Sequence, residues 1–184
     1  AKGRMAFAFP DVNEVAMSHM GTKILYKIVN DQPELLLDRC MMPWTDLEEK
    51  LREKEVSLVS LEHQKALSEF DVVGFSLQFE LTYTSVLAMI DLGGISLRSL
   101  ERGEDEPLII AGGPTATHPE ALAPFIDGFF IGEAEKELPE ILRAWVDLKA
   151  KGLTRLDRLK SLAENFALYI PQLYELEICE KTGF

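Results

Sequence analysis

The run from Asp71 to Gln78 (DVVGFSLQ) sets the strongest constraint on what this chain can fold into. It is apolar on both faces, with no alternation of apolar and polar positions. Such a run fits a strand covered on both sides, the usual state of a strand in a parallel sheet. Met5 to Phe9, Leu35 to Met42, Val56 to Leu61, Pro107 to Ala111 and Phe129 to Ile131 are further expected strands. Segments of helical period lie between them: Met20 to Asn30, Thr45 to Lys54, Leu81 to Leu92, Pro119 to Phe125 and Glu137 to Leu148. Ile24, Leu25, Ile28 and Val29 share one helical face, and Leu138, Ile141, Leu142, Trp145 and Leu148 another. Thr45 and Glu48 have the spacing of a capping box. Strands that alternate with helices imply βαβ units. The expected fold is α/β: a flavodoxin-like (Rossmann-like), three-layer, doubly wound sheet, mostly parallel, of about five to six strands.

The 184 residues are enough for one domain with its own core. Residues 1–150 carry the alternating pattern. Residues 151–184 read as a tail or linker, with a helix over Leu153 to Phe166 and an extended stretch from Tyr169 to Tyr174. Acids outnumber bases 31 to 19, a net charge of −12. A surface that negative repels phosphate backbones, which argues against nonspecific nucleic-acid binding. Cys40 and Cys179 form no close pair, so no disulfide framework is expected, nor a zinc or iron–sulfur site built by this chain alone. No apolar run approaches the ~20 residues of a membrane span. No signal-peptide pattern is present, so the expected location is cytoplasmic. The chain opens Ala1-Lys2-Gly3 without a methionine and is read as a piece of a longer protein.

In an open α/β sheet, ligands bind beyond the carboxyl ends of the strands. Small and polar residues gather at those ends here. The first expected strand is followed by a long loop holding Ser18, His19 and Gly21; Ser18 and Gly21 flank a helix start, where backbone N–H groups favour an anion. Ser76, Leu77 and Gln78 follow the fourth, and Gly112, Gly113, Pro114, Thr115 and Thr117 the fifth. Gly132 and Glu133 follow the sixth. Each has a plain structural role open to it. Gly112-Gly113 fits a turn, Ser76 a buried hydroxyl bonded to backbone, and Glu133 and Glu135 a helix start. His19 fits a satisfied loop histidine or, alternatively, a metal ligand. His118, before Pro119, fits a helix-start residue. No dinucleotide fingerprint or P-loop is present.

Taken together, these residues carry a resemblance. Gly112, Gly113, Pro114, Pro119, Glu120, Asp127, Gly132, Glu133 and Glu135 fall in a stretch that resembles the cobalamin-binding domain at the amino end of radical-SAM proteins. The stretches around Pro10 to Tyr26 and Asp71 to Leu92 look like the same group, and Tyr169 to Glu175 resembles the approach to its catalytic barrel. The resemblance implies a flavodoxin-like domain holding cobalamin at the strand ends. The corrin would lie over the loops and the nucleotide tail beside the sheet. Gly112 and Gly113 would allow close approach, and hydroxyls of Ser76, Thr115 and Thr117 would bond the tail or the corrin amides. The chain also departs from that family. Its Asp-x-His-x-x-Gly pattern, whose histidine ligates cobalt, appears with Met17 for the Asp and Thr22 for the Gly, so His19 as axial ligand rests on a broken motif. Its Ser-x-Leu pattern appears as Ser76-Leu77-Gln78.

Radical-SAM chemistry uses a Cys-x-x-x-Cys-x-x-Cys motif, which this chain lacks. The resemblance therefore implies that the 4Fe-4S iron–sulfur cluster and S-adenosylmethionine belong to a downstream barrel of the same polypeptide, the natural partner of this domain. This chain alone is not expected to be a catalyst. Two other readings stand beside this one: a degenerate docking domain that binds no cofactor, and another flavodoxin-like module such as a flavin carrier, nucleotide binder or phospho-receiver. Exposure of a barrel-facing patch at Tyr169, Ile170 and Tyr174 would favour a homodimer of the isolated domain.

Overall fold

The computed structural model describes residues 1–175. The strands are β1 (Gly3–Phe9), β2 (Leu35–Met41), β3 (Val72–Ser76), β4 (Leu108–Gly112), β5 (Gly128–Phe130) and β6 (Leu168–Tyr169). The helices are α1 (Asn13–Ser18), α2 (Met20–Asn30), α3 (Thr45–Glu53), α4 (Tyr83–Leu92), α5 (Leu138–Ala150) and α6 (Arg155–Asn165). The strands form one sheet in the order β2-β1-β3-β4-β5-β6. β1 to β5 are parallel, and β6 runs antiparallel to β5. This is the flavodoxin-like α/β arrangement expected from the alternating pattern.

Both faces of the sheet are buried, as the two-sided apolar strands require. Met5, Phe7, Leu37, Val72, Leu108 and Ile110 pack on one side with Val29 of α2, Ile141, Leu142 and Trp145 of α5, and Leu159 and Leu162 of α6. Ala6, Ala8, Val73, Phe75, Ile109 and Phe129 pack on the other with Val86, Met89 and Ile90 of α4. Cys40 is buried on that second side, and burial pushes its thiol up to about 12, which leaves it an inert small hydrophobe. No helix among the described residues is long and apolar enough to cross a membrane.

The β4–β5 crossover is held by Asp127, which is fully buried. Its Oδ2 accepts from the Ile109 N–H at 2.7 Å and from Arg155 Nη2 at 2.8 Å, and pairs with Arg102 Nη1 at 3.0 Å. Burial pulls the Arg102 guanidinium below its ordinary range, and the Asp127 charge opposes that pull. Arg158 completes the cluster, stacked 4.3 Å over the Trp145 ring and paired with Glu104. Asp127 therefore joins the loop before β4, the start of β5 and α6.

The edge strand β2 is closed by side chains. Asn30 accepts from the Leu37 N–H at 2.9 Å and donates to the Leu37 carbonyl at 3.0 Å. Glu62 accepts from the Arg39 N–H at 2.7 Å, and the Leu61 N–H donates to the Arg39 carbonyl at 2.8 Å.

Several expectations need correction. Val56 to Leu61 makes no strand; it crosses the outside of β2 and forms only a single bridge, Val59 with Ala66. Side chains fix it there: buried Asp38 accepts from Ser60 Oγ at 2.7 Å and bonds His63 Nδ1 at 2.8 Å. Thr45 is not the cap of α3; Trp44 holds that position with no side-chain bond. The Pro119 to Phe125 helix shrinks to a single 3-10 turn, Pro119–Ala121, because Pro124 cannot supply the N–H that a longer helix would donate to the Glu120 carbonyl. The loop after β1 contains the short α1. The helix expected at Leu153 to Phe166 is present as α6 and packs on the domain with β6, whereas Ile170 is fully buried rather than part of an exposed patch. Tyr174 is exposed. Residues 176–184, Cys179 among them, lie outside the described residues.

Two outcomes follow from these charges. Asp127→Ala leaves buried arginines unpaired and is expected to cost roughly 3–5 kcal/mol, read as a lower urea midpoint at unchanged slope. Glu106 is a milder case. Burial pushes its carboxyl up, but the N–H groups of Ser96 and Gly103 and the Ser96 hydroxyl outweigh this and hold it below the usual carboxylate range. A depressed folded-state value stabilises above the ordinary carboxylate range and is lost as pH falls through it. Glu106→Gln should therefore flatten the acid side of a plot of melting temperature against pH.

Candidate functional site

β1 sits between β2 and β3, so the chain leaves β1 toward one edge and β3 toward the other. A crevice opens beyond the carboxyl ends of such a pair. On the face toward α2 and α5, side chains shrink along the central strands: Val72, Gly74 and Ser76 on β3, and Leu108, Ile110 and Gly112 on β4. Met5 Cε occupies the place of a Gly74 side chain, and the short residues Ser76 and Gly112 leave a cavity of about 270 Å³. At about 30 Å³ per water, that is room for roughly nine waters. Met5, Phe7 and Ile110 form its floor with Gly74, and Leu25, Leu138 and Ile141 cover it from α2 and α5. His19, Gly21, Ser76, Gln78, Gly112, Gly113, Pro114 and the turn from Gly132 to Glu135 form its polar end.

The electrostatics are one-sided. Glu133 and Glu135 stand at this end, and among the described residues no lysine or arginine lines the cavity. Ser76 is buried, and its Oγ accepts from Gln78 Nε2 at 2.7 Å. Among the described residues no group of three His, Cys, Asp or Glu is placed to hold a metal ion.

His19 caps α2. Its Nδ1 faces the Thr22 N–H at 3.4 Å, an arrangement that places the ring proton on Nε2. The ring leans on Phe9, centroid to centroid 5.4 Å. Gly21 makes room for it, since a Cβ there would lie 2.9 Å from His19 Cε1.

The two loop glycines differ. Gly113 has φ +108°, and a Cβ there would lie 2.7 Å from the Leu77 carbonyl oxygen. The loop is bound to that residue on every side. The Leu77 N–H donates to the Gly112 carbonyl at 2.7 Å, and the Leu77 carbonyl accepts from the Thr115 N–H and hydroxyl, each at 3.3 Å. At Gly112 a Cβ would meet only Phe130, at 3.9 Å.

The structure thus brings His19, Gly21, Ser76, Gln78, Gly112, Gly113, Pro114, Gly132 and Glu133 together at one cavity. It does not bring four others there. Leu77 is fully buried in the opposite core. Thr115 serves the Leu77 carbonyl, and Thr117 Oγ1 donates to the Pro114 carbonyl at 3.2 Å. Ser18 Oγ donates to the Val15 carbonyl at 2.7 Å, and Ser18 lines a separate recess of about 220 Å³ above the strand ends. That recess shares His19, Ser76 and Gln78 with the cavity. Sequence reasoning missed the apolar walls and Gly74. The signal for Gly74 was present, a lone glycine inside an apolar strand, which marks close approach to the backbone.

Gly113→Val is expected to lower the melting temperature sharply, because it strains the backbone and strikes the Leu77 carbonyl. Gly112→Val should fold nearly as well as wild type while filling the cavity end. Thermal melts of the two variants side by side check this contrast.

A family model described as "Radical SAM proteins, N-terminal" matches residues 21–171. Searches of curated proteins and of solved structures found no match.

Proposed function

The chain belongs to the family of N-terminal domains of radical SAM proteins, and from that premise we propose that it is a cobalamin-binding domain serving a downstream radical-SAM barrel. The observation that carries the reading is the apolar cavity at the β1/β3 switch, left open by Ser76 and Gly112 over a floor in which Met5 lies against Gly74. Its volume fits a bicyclic heterocycle such as the base of the cobalamin tail. The corrin, far larger, would stay above the strand ends. The lining fits an apolar ring with few polar anchors. Glu133 and Glu135 repel a doubly charged phosphate monoester more than the singly charged phosphodiester of the cobalamin tail, and they accept hydrogen bonds from amide donors.

Cobalamin, when bound, supplies a cobalt centre for methyl or electron transfer. The roles of this chain are to bind and to orient. Gly112 leaves the entrance clear, Ser76 and Gln78 present the polar contact, and Gly113 with Leu77 fixes the loop. His19 is assigned the capping of α2, and cobalt ligation by it forms no part of the proposal. The 4Fe-4S cluster, S-adenosylmethionine and the chemistry are assigned to the barrel.

The test is a titration with hydroxocobalamin followed by gel filtration and a visible spectrum. Wild type is expected to retain about one cobalamin per chain. Gly112→Val should lose it without loss of fold, and His19→Ala should leave the cobalt bands in place. Absence of retained cobalamin on folded wild type would overturn the reading in favour of a docking domain without cofactor.

A further inference from the structure

Ser76 and Gln78 stand where the cavity meets the recess above the strand ends. Ser76 is 7% exposed. A serine hydroxyl has one proton and two lone pairs. Its contact with Gln78 Nε2 at 2.7 Å occupies one lone pair and leaves the proton free. Among the described residues, no hydrogen bond takes that proton up. A buried donor without an acceptor is costly, and a ligand that supplies the acceptor recovers that cost. The walls at Met5, Phe7, Leu25, Ile110 and Phe130 are apolar, and His19, Glu133 and Glu135 at the polar end make no hydrogen bond to Ser76 Oγ.

We propose that Gln78 determines specificity at this cavity: by donating to Ser76 it makes the Ser76 hydroxyl a donor toward the ligand, which selects a planar heteroaromatic ring with an in-plane nitrogen acceptor over an isostere with C–H in that place. The inference rests on reading the cavity as a ligand site and deepens that reading. Gln78 is the residue that departs from the Ser-x-Leu pattern. With leucine in its place, the Ser76 hydroxyl would rotate freely and read a donor or an acceptor alike. Gln78 acts through Ser76 and is a positioning residue.

Benzimidazole and indole test this directly, because they match in shape and differ in one ring nitrogen. Binding of each to the full chain is followed by ligand-observed NMR, with thermal melts confirming that every variant folds. Wild type is expected to bind benzimidazole about tenfold more tightly than indole, the scale of one satisfied buried donor. Gln78→Leu should reduce that ratio to about threefold or less. Gln78→Glu presents a carboxylate that only accepts, so it should draw the Ser76 proton away and reverse the preference. A packing role for Gln78 would weaken both ligands alike and leave the ratio unchanged. An unchanged ratio in Gln78→Glu, equal binding of the two rings by wild type, or binding of neither overturns the proposal. Retention of hydroxocobalamin by wild type is a separate readout, so failure of the selectivity and failure of the cobalamin reading are told apart.

Discussion

A parallel sheet buried on both faces leaves few places for polar groups. Strand interiors must be apolar, so charge and hydrogen-bonding side chains collect at the two ends of the strands and at the sheet edges. The end where β4 and β5 begin carries Asp127 with Arg102 and Arg155. The opposite end carries Ser76, Gln78, His19 and the acidic turn after β5. The first set is enclosed and ties crossovers together. The second faces open space. The difference between the ends, one enclosed and cohesive and one open, follows from the burial of the sheet itself.

The cavity is made by subtraction. Val72 and Leu108 fill the gap between sheet and helices near the strand starts and Met5 fills it over Gly74, whereas Ser76 and Gly112 leave it unfilled near the strand ends. Apolar walls and polar end are thus consequences of position along the same strands. Such a site is stiff, because its floor is the sheet ladder and its cover is two packed helices.

Much of this was legible in the sequence. The two-sided apolar run at Asp71 to Gln78 and the alternation of strands with helices specified the α/β class, and five of the six expected strands appear close to where they were read. The strand expected at Val56 to Leu61 failed because the segment is anchored to β2 by side chains, Ser60 on Asp38 and Glu62 on Arg39, long-range contacts with no local signature. Thr45 failed as a cap because spacing alone does not fix the backbone turn before a helix. At the site, residue types and chain position brought Ser76, Gly112 and His19 into view. Their roles needed coordinates: Gly113 is demanded by φ and by Leu77, while Gly112, one residue away, is the open one. Asp127 shared a motif with Glu133 and Glu135, yet it belongs to the structural end of the sheet.

The closure of β2 by Asn30, Glu62 and Leu61 has a consequence for how copies of this domain meet. An edge whose N–H and C=O groups are already occupied is a poor template for another strand. Continuous sheets across two molecules are therefore blocked on that side. Association would have to proceed through side chains on an acidic surface, with mutual repulsion to overcome. Contacts of that kind are reversible and respond to salt. The same few bonds that finish the sheet thus keep a strand-rich, apolar domain from propagating it at high concentration.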